Sequence, residues 1–415
     1  MRRIIATYWD LFRAVSRKRS FRYFLLPPVY ALAGVYAALR LWRAFGAWLP
    51  FGPYAFVCIL LFSLGPAALL SMALPGYSPL KRGIVMAGSL WTASLLYGFA
   101  AACLLELVRL LDKALGNPLS LRLEAMTGLS AVTLSALLVF SFLLFFFAKG
   151  IYNAFVPRIH RYSVQVPNLA QTMKLVLLSD AHLLNPTSPV RLDKLCSRVG
   201  GIRPDAVLLA GDIVDNRPEL AKQQKVAEKL SAIESRHGIF YAPGNHEYIH
   251  AAKGSREKTG SVSAPSFQDR LASLLTYFQG AGIHVLSDEK TTLGGLCTLV
   301  GRRDSDVEKH TGIPRKPLSY VLDGADLSLP VVVLDHQTEY FREAREAGVD
   351  LLLSGHTHQG QVFPLTVFSR RRYAHNYGAY REDAFTHIVS SGCGSWGPPV
   401  RFGSRAEIVL ISLYS

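Results

Sequence analysis

Histidine is confined to one part of this chain: all twelve imidazoles lie at or beyond residue 160. Several stand beside carboxylates and amides. Asp180 and His182 flank a single residue, Asp212 and Asp215 follow Gly211, and Asn245, His246 and Glu247 follow Gly244. His336 comes after an apolar run, and His356 and His358 follow Gly355. Aspartates, an asparagine and imidazoles together make a mixed oxygen and nitrogen donor set that suits two divalent transition metals, which can share a carboxylate. Oxygen-seeking ions such as calcium fit it less well, and no thiolate stands near these residues to build a structural zinc site. Two divalent ions a few ångströms apart favour a hydroxide held between them, clamp phosphoryl oxygens and offset the charge of in-line displacement. Cleavage of a phosphate ester is chemistry that fits these parts.

To act together, these residues need a common scaffold. Each group closes a short apolar run, at 174–182, 206–212, 238–247, 330–336 and 350–358. Segments of helical periodicity such as 219–234 and 267–279 lie between the runs, which gives an α/β texture. Open α/β sheets gather ligand-binding residues beyond the carboxyl ends of their strands, so five such runs would deliver their polar tips to one rim. Gly211, Gly244 and Gly355 are expected to turn the backbone sharply off the strands. Asp215 has a second reading, as a cap for a helix starting near Asn216 and Pro218.

The five blocks, in this order, resemble the calcineurin-like metallophosphoesterase superfamily, in its membrane-anchored branch. The pattern is DxH at Asp180 and His182, GDxxD at Gly211 to Asp215, GNHE at Gly244 to Glu247, an isolated His336, and GHxH at Gly355 to His358. The tail 390–403 also looks like that group. The resemblance implies a two-sheet αββα sandwich over residues 157–415 and two divalent ions, manganese, iron or zinc. It puts Asp180, His182 and His358 on one metal and Asn245, His336 and His356 on the other, with Asp212 bridging. It makes His246 a catalytic residue that is not a ligand, with Asp215 orienting it; Glu247 reads as a supporting rather than a catalytic residue. The phosphoprotein phosphatase branch carries an Arg where this chain has Asn216, so a protein phosphatase is disfavoured.

Residues 1–156 read as an all-α transmembrane anchor of about four helices. Apolar stretches near 24–45, 53–75, 84–108 and 129–148 each offer the roughly twenty residues that cross about 30 Å of hydrocarbon. Residues 1–150 hold 15 of the 45 Lys and Arg but only four of the 30 acids, so the apolar part supplies +11 of the net +15. The remainder is close to neutral, unlike a domain that reads nucleic acid through a basic face. The basic N-terminus and the positive-inside rule put the catalytic domain on the cytoplasmic side of a multi-pass protein. The spans carry almost no ionisable residue of the kind that marks a transport path. Five cysteines without a paired spacing imply neither a disulfide framework nor a zinc finger.

The expected partners are the lipid bilayer and a phosphorylated substrate. A bilayer anchor favours a phosphodiester or pyrophosphate in a lipid-linked or nucleotide-sugar lipid molecule, and some membrane-linked members of the resembled family cleave UDP-2,3-diacylglucosamine. The alternatives are a phosphodiesterase or phosphomonoesterase acting on soluble nucleotides, and a non-catalytic membrane scaffold. His375, like the other histidines outside the blocks, reads as structural, although the resemblance places a loop near the site at its basic segment 370–378.

Overall fold

The computed structural model describes residues 21–73, 78–183, 188–215, 217–248 and 267–415. The N-terminal basic stretch, Asn216 and the polar segment 253–266, expected to be a loop, lie outside the described residues. The chain divides into two compact units, Met1–Phe147 and Ala148–Ser415, a division nine residues before the boundary expected from composition.

The first unit is helical: α1 (Phe21–Phe45), α2 (Phe51–Ala73), α3 (Pro79–Ala114), α4 (Pro118–Thr127) and most of α5 (Ala131–Phe155). Among the described residues three helices are long and apolar enough to cross a membrane: Phe51–Ser71 within α2, α3 and α5. The expected first span forms α1, but its side chains are described only from Pro27 and it is not one of the three. Ile59, Leu69, Leu104 and Phe140 are exposed on these helices, as suits elements whose backbone bonds are satisfied internally and whose solvent is hydrocarbon. Glu106 is paired with Arg40 at 2.7 Å and Arg109 at 2.6 Å. α3 continues past the apolar run to Ala114 because helical hydrogen bonding does not stop where hydropathy does.

The second unit contains two six-stranded mixed sheets. One runs in the order β1 (Arg158–Gln165), β12 (Glu407–Tyr414), β2 (Met173–Leu178), β3 (Ala206–Ala210), β4 (Ile239–Ala242) and β5 (His284–Val285). The other runs β10 (Gly378–Glu382), β11 (Phe385–Val389), β9 (Leu351–Ser354), β8 (Val331–Leu334), β7 (Cys297–Gly301) and β6 (Glu289–Leu293). Side chains alternate faces along a strand. Leu175, Leu177, Leu208 and Val409 of the first sheet accordingly share a core with Val332, Leu334, Leu351 and Leu353 of the second. Val176, Leu178, Val207 and Leu209 face the opposite way, into a core with the helices Ser188–Gly200 and Phe267–Gly280. Val331, Val333 and Leu352 do the same on the far side of the second sheet, against Leu318–Leu322 and Phe341–Glu346. This is the expected αββα sandwich. Strands covered on both faces read as continuous apolar runs, and β2, β3 and β4 are mutually parallel, as are β8 and β9.

Candidate metal centre

All five blocks leave the carboxyl ends of β2, β3, β4, β8 and β9, so both sheets contribute to the rim. The backbone there is unusual. Asp180, His182, Asp212, His356 and His358 have φ of 51°, 45°, 53°, 69° and 49°, a left-handed region that costs a non-glycine residue about 1–3 kcal/mol and persists only where the surroundings enforce it. The turn expected of the glycines is thus carried largely by the neighbouring polar residues. Of the three glycines named for that role only Gly211, at φ 75°, is left-handed. Gly355 is needed for closeness, since a Cβ there would lie 2.3 Å from Asp180 Oδ2. Bonds between blocks enforce the shape: the Asp180 N–H donates to the Gly211 carbonyl and that of His182 to the Asp212 carbonyl, each at 3.0 Å. Glu247, fully buried, accepts the N–H groups of Asp212 (3.0 Å) and Gly244 (2.8 Å) on Oε2 and of Val214 (3.0 Å) on Oε1.

These turns bring the donor atoms together. Asp180, His182 and His358 each offer an atom within 4.8 Å of the other two, and so do Asp212, His336 and His356. Asp212 also forms such a group with His182 and His246, so its carboxylate lies between the first two sets. Asn245 Oδ1 completes the second set, 3.1 Å from His336 Nε2 and 3.2 Å from His356 Nδ1. His246 Nδ1 donates to Asp215 Oδ1 at 3.1 Å, while the helix Pro218–Gln223 begins after Arg217.

The donor set fits two cations. His336 Nδ1 donates to the Ala210 carbonyl at 2.8 Å, so the Nε2 of a neutral ring turns a lone pair toward two oxygens, Asn245 Oδ1 and Asp212 Oδ2, the latter at 3.1 Å. That arrangement needs a proton or a metal ion. Without an ion, burial opposes the imidazolium but Asp212 outweighs it, raising the pKa of His336 well above its ordinary value. In the other set the Nε2 atoms of His182 and His358 face each other at 3.1 Å, with Asp180 Oδ1 3.4 Å from the latter. Burial, then the neighbouring His246, depress His182 to about 3; burial lowers His356 to about 4 and His358 well below its usual range. Neutral imidazoles converging on one point are what a divalent ion requires. Burial raises Asp180 to about 6.

His246 differs from these rings. Burial disfavours its charge, but the hydrogen bond to Asp215 and the charge of Asp212 prevail and raise it to about 9. His336 and His246 are the two rings of the cleft whose pKa lies above the ordinary value, and His246 owes this to a carboxylate, Asp215, outside the first two donor sets.

Sequence reading missed other parts of the site. Arg401, fully buried, donates from Nε to the Gly394 carbonyl at 2.8 Å and sets Nη2 3.1 Å from His358 Nδ1. Tyr373 brings its hydroxyl 3.4 Å from His356 Nε2, and the ring of Trp396 lies 6.4 Å from that of His246. The resemblance of the tail 390–403 hinted at Arg401 and Trp396, and the segment 370–378, expected near the site, contains Tyr373. His375 is buried elsewhere, its Nδ1 2.7 Å from that of His387 and its ring stacked on Tyr380.

The chain matches the family model for calcineurin-like phosphoesterases over residues 173–360. It is 31% identical to an uncharacterized metallophosphoesterase of Helicobacter pylori, over 65% of this chain and 68% of the other. A transmembrane protein with metallophosphoesterase domain from Danio rerio is 30% identical over 60% of this chain and 55% of its own. The UDP-2,3-diacylglucosamine pyrophosphatase LpxG of Chlamydia trachomatis is 21% identical over 58% of this chain and 83% of its own.

Proposed function

The chain belongs to the calcineurin-like phosphoesterase family and is a metal-dependent phosphoester hydrolase, and from that premise we propose that it cleaves a phosphodiester or pyrophosphate bond in a lipid-linked substrate. The observation that carries this reading is the join between membrane helix and enzyme. α5 ends at Phe155 and β1 begins at Arg158, so no long linker lets the catalytic unit leave the bilayer. The name of the Chlamydia trachomatis relative points the same way.

Members of the family use two divalent ions, which when bound lower the pKa of water and neutralise phosphoryl oxygens. In our assignment Asp180, His182 and His358 would hold one ion and Asn245, His336 and His356 the other, with Asp212 shared between them. His246 donates a proton to the departing oxygen, a contribution of about 10²–10⁴-fold for a well-placed acid. Asp215 keeps that ring oriented and charged, and Glu247 fixes the loops that carry Asp212 and Asn245. With α1 counted as a fourth span and the basic N-terminus inside, the catalytic unit lies on the cytoplasmic side.

The test is hydrolysis by the intact protein of lipid-linked pyrophosphates, soluble diesters and soluble nucleotides, with manganese, iron or zinc supplied singly. Asp212→Asn and His246→Ala serve as controls. Preferential turnover of the lipid-linked class, abolished by Asp212→Asn and reduced at least about 10²-fold by His246→Ala, is the expected result. Equal turnover of soluble nucleotides would transfer the assignment to them.

A further inference from the structure

The helix Leu365–Arg372 follows the last histidine block and leads into Tyr373, whose hydroxyl lies 3.4 Å from His356 Nε2. It buries Thr366 and Ser369 but leaves Leu365 54% and Phe368 59% exposed, and ends in the exposed run Arg370, Arg371, Arg372. A second segment adds to this surface. Trp396 is 62% exposed, and its backbone is clasped by Gln361, whose side chain donates to the Trp396 carbonyl and accepts its N–H, both at 2.9 Å. Gln361 lies four residues before Leu365, so the clasp holds the indole beside the start of the helix. The same surface borders the metal centre. The ring of Trp396 lies 6.4 Å from that of His246 at a steep angle to it. Arg372 lies 5.4 Å from the centroid of the Tyr373 ring, whose hydroxyl approaches His356.

Large apolar side chains, an indole and adjacent arginines are the composition of surfaces that lie in a membrane interface. The rings and aliphatic groups enter the upper acyl region, and the guanidinium groups meet phosphate. Arginine suits that role through its planar, bidentate contact with phosphate oxygens. Residues 151–415 carry 30 basic and 26 acidic side chains, so three consecutive arginines are a local concentration of charge. A bilayer is also a partner within reach of a catalytic unit whose first strand begins two residues after the end of α5, a helix long and apolar enough to cross a membrane.

We propose that Leu365, Phe368 and Trp396, flanked by Arg370, Arg371 and Arg372, dock into the headgroup layer of an anionic bilayer and hold the mouth of the metal centre at that layer. A lipid-linked substrate then reaches the metal centre with its phosphates at the cleft and its acyl chains still in the membrane. The inference rests on the lipid-linked reading of the site and gives it a physical route.

The experiment uses the full chain in nanodiscs of phosphatidylcholine, with and without phosphatidylglycerol. Hydrogen exchange of peptides covering residues 363–373 is read beside turnover of a lipid-linked pyrophosphate and of bis(p-nitrophenyl) phosphate. Slower exchange in the anionic nanodiscs is expected. Phe368→Asp and the double variant Arg370→Glu, Arg371→Glu should abolish that protection and lower lipid-linked turnover on the order of tenfold, with soluble-diester turnover kept. Identical exchange in both lipids, with lipid-linked turnover unaffected by the variants, overturns the proposal. So does loss of soluble-diester turnover in the variants, which would make the helix part of the reaction centre, or protection that appears only with a protein partner. Protection by anionic lipid in a wild type that cleaves only soluble substrates would sustain the docking surface while removing the lipid-linked reading.

Discussion

At the scale of single residues, the cleft separates two kinds of imidazole by environment. His182, His356 and His358 lose their charge to burial, whereas His246 keeps its own because Asp215 lies 3.1 Å from Nδ1. If His246 is the proton donor, activity falls as pH rises through its pKa. The Asp215 charge raises that pKa, so removing it must move the alkaline limb toward lower pH. Asp215→Asn is expected to shift the limb by about one unit, and His246→Ala to remove it. pH–rate profiles of the intact protein check this, and a limb unmoved in Asp215→Asn would assign the titration to another group. The polar residues of the centre were legible because each stands within a few residues of a strand end, and a parallel strand buried on both faces announces itself as an apolar run. Arg401 was not legible. It lies 43 residues beyond His358, inside a loop without regular structure, and nothing in its neighbours indicates that its guanidinium is buried. His375 and His387 read as separate histidines for a similar reason, since only the antiparallel pairing of β10 and β11 makes them neighbours.

Between elements, the centre depends on how neighbouring strand ends are tied together. Glu247 does this for β3 and β4: its two oxygens accept three backbone N–H groups, two from the loop after β3 and one from the turn after β4. Burial, then the Asp212 charge, push its pKa up to about 7, so the carboxylate is held at some cost in a place where its acceptors are required. Glu247→Gln offers one acceptor oxygen and must turn its amide donors toward at least one N–H. The expected loss is about 1–3 kcal/mol of stability for a buried group left unsatisfied, together with reduced metal retention, because Asp212 and Asn245 sit on the two loops. Thermal unfolding of the intact protein and metal content after dialysis test this. An unchanged midpoint with full metal occupancy would show that the clamp is not needed. In the sequence Glu247 reads only as a supporting residue; that it accepts from the β3 loop depends on two strands meeting in space.

For the whole molecule, the question is where enzyme begins. Composition puts the boundary at 156, and a cut near Val164 looks harmless on sequence alone, yet packing argues otherwise. β1 pairs with β12 along its full length, from Arg158 with Glu407 to Gln165 with Tyr414, and β12 inserts the C-terminus between β1 and β2, an order with no local signal. Glu407 is buried and accepts from Arg158 at 3.4 Å, His160 at 3.3 Å and Tyr377 at 3.0 Å, and from the Ser391 N–H at 2.9 Å. The segment it anchors continues to Cys393 and Gly394, which donate to the carbonyls of Ser179 and Asp180 at 2.9 and 3.0 Å. The last turns of α5 belong to the same structure, since Asn153 Nδ2 donates to the Arg401 carbonyl at 3.1 Å and the Arg401 N–H to the Gly150 carbonyl at 2.9 Å. A chain starting at Val164 would lose an edge strand, expose β12 as an unpaired edge and strip Glu407 of Arg158 and His160 while opening it to water. A chain starting at Ala148 keeps every one of these contacts. The longer fragment is expected to fold, bind metal and hydrolyse a soluble diester, while the shorter one aggregates or fails to retain metal. Purification of both, with circular dichroism, metal analysis and diester turnover, decides the point: equal behaviour of the two fragments would mean that β1 and the end of α5 only join anchor to enzyme, whereas the expected difference makes the end of the membrane helix a structural part of the metal centre.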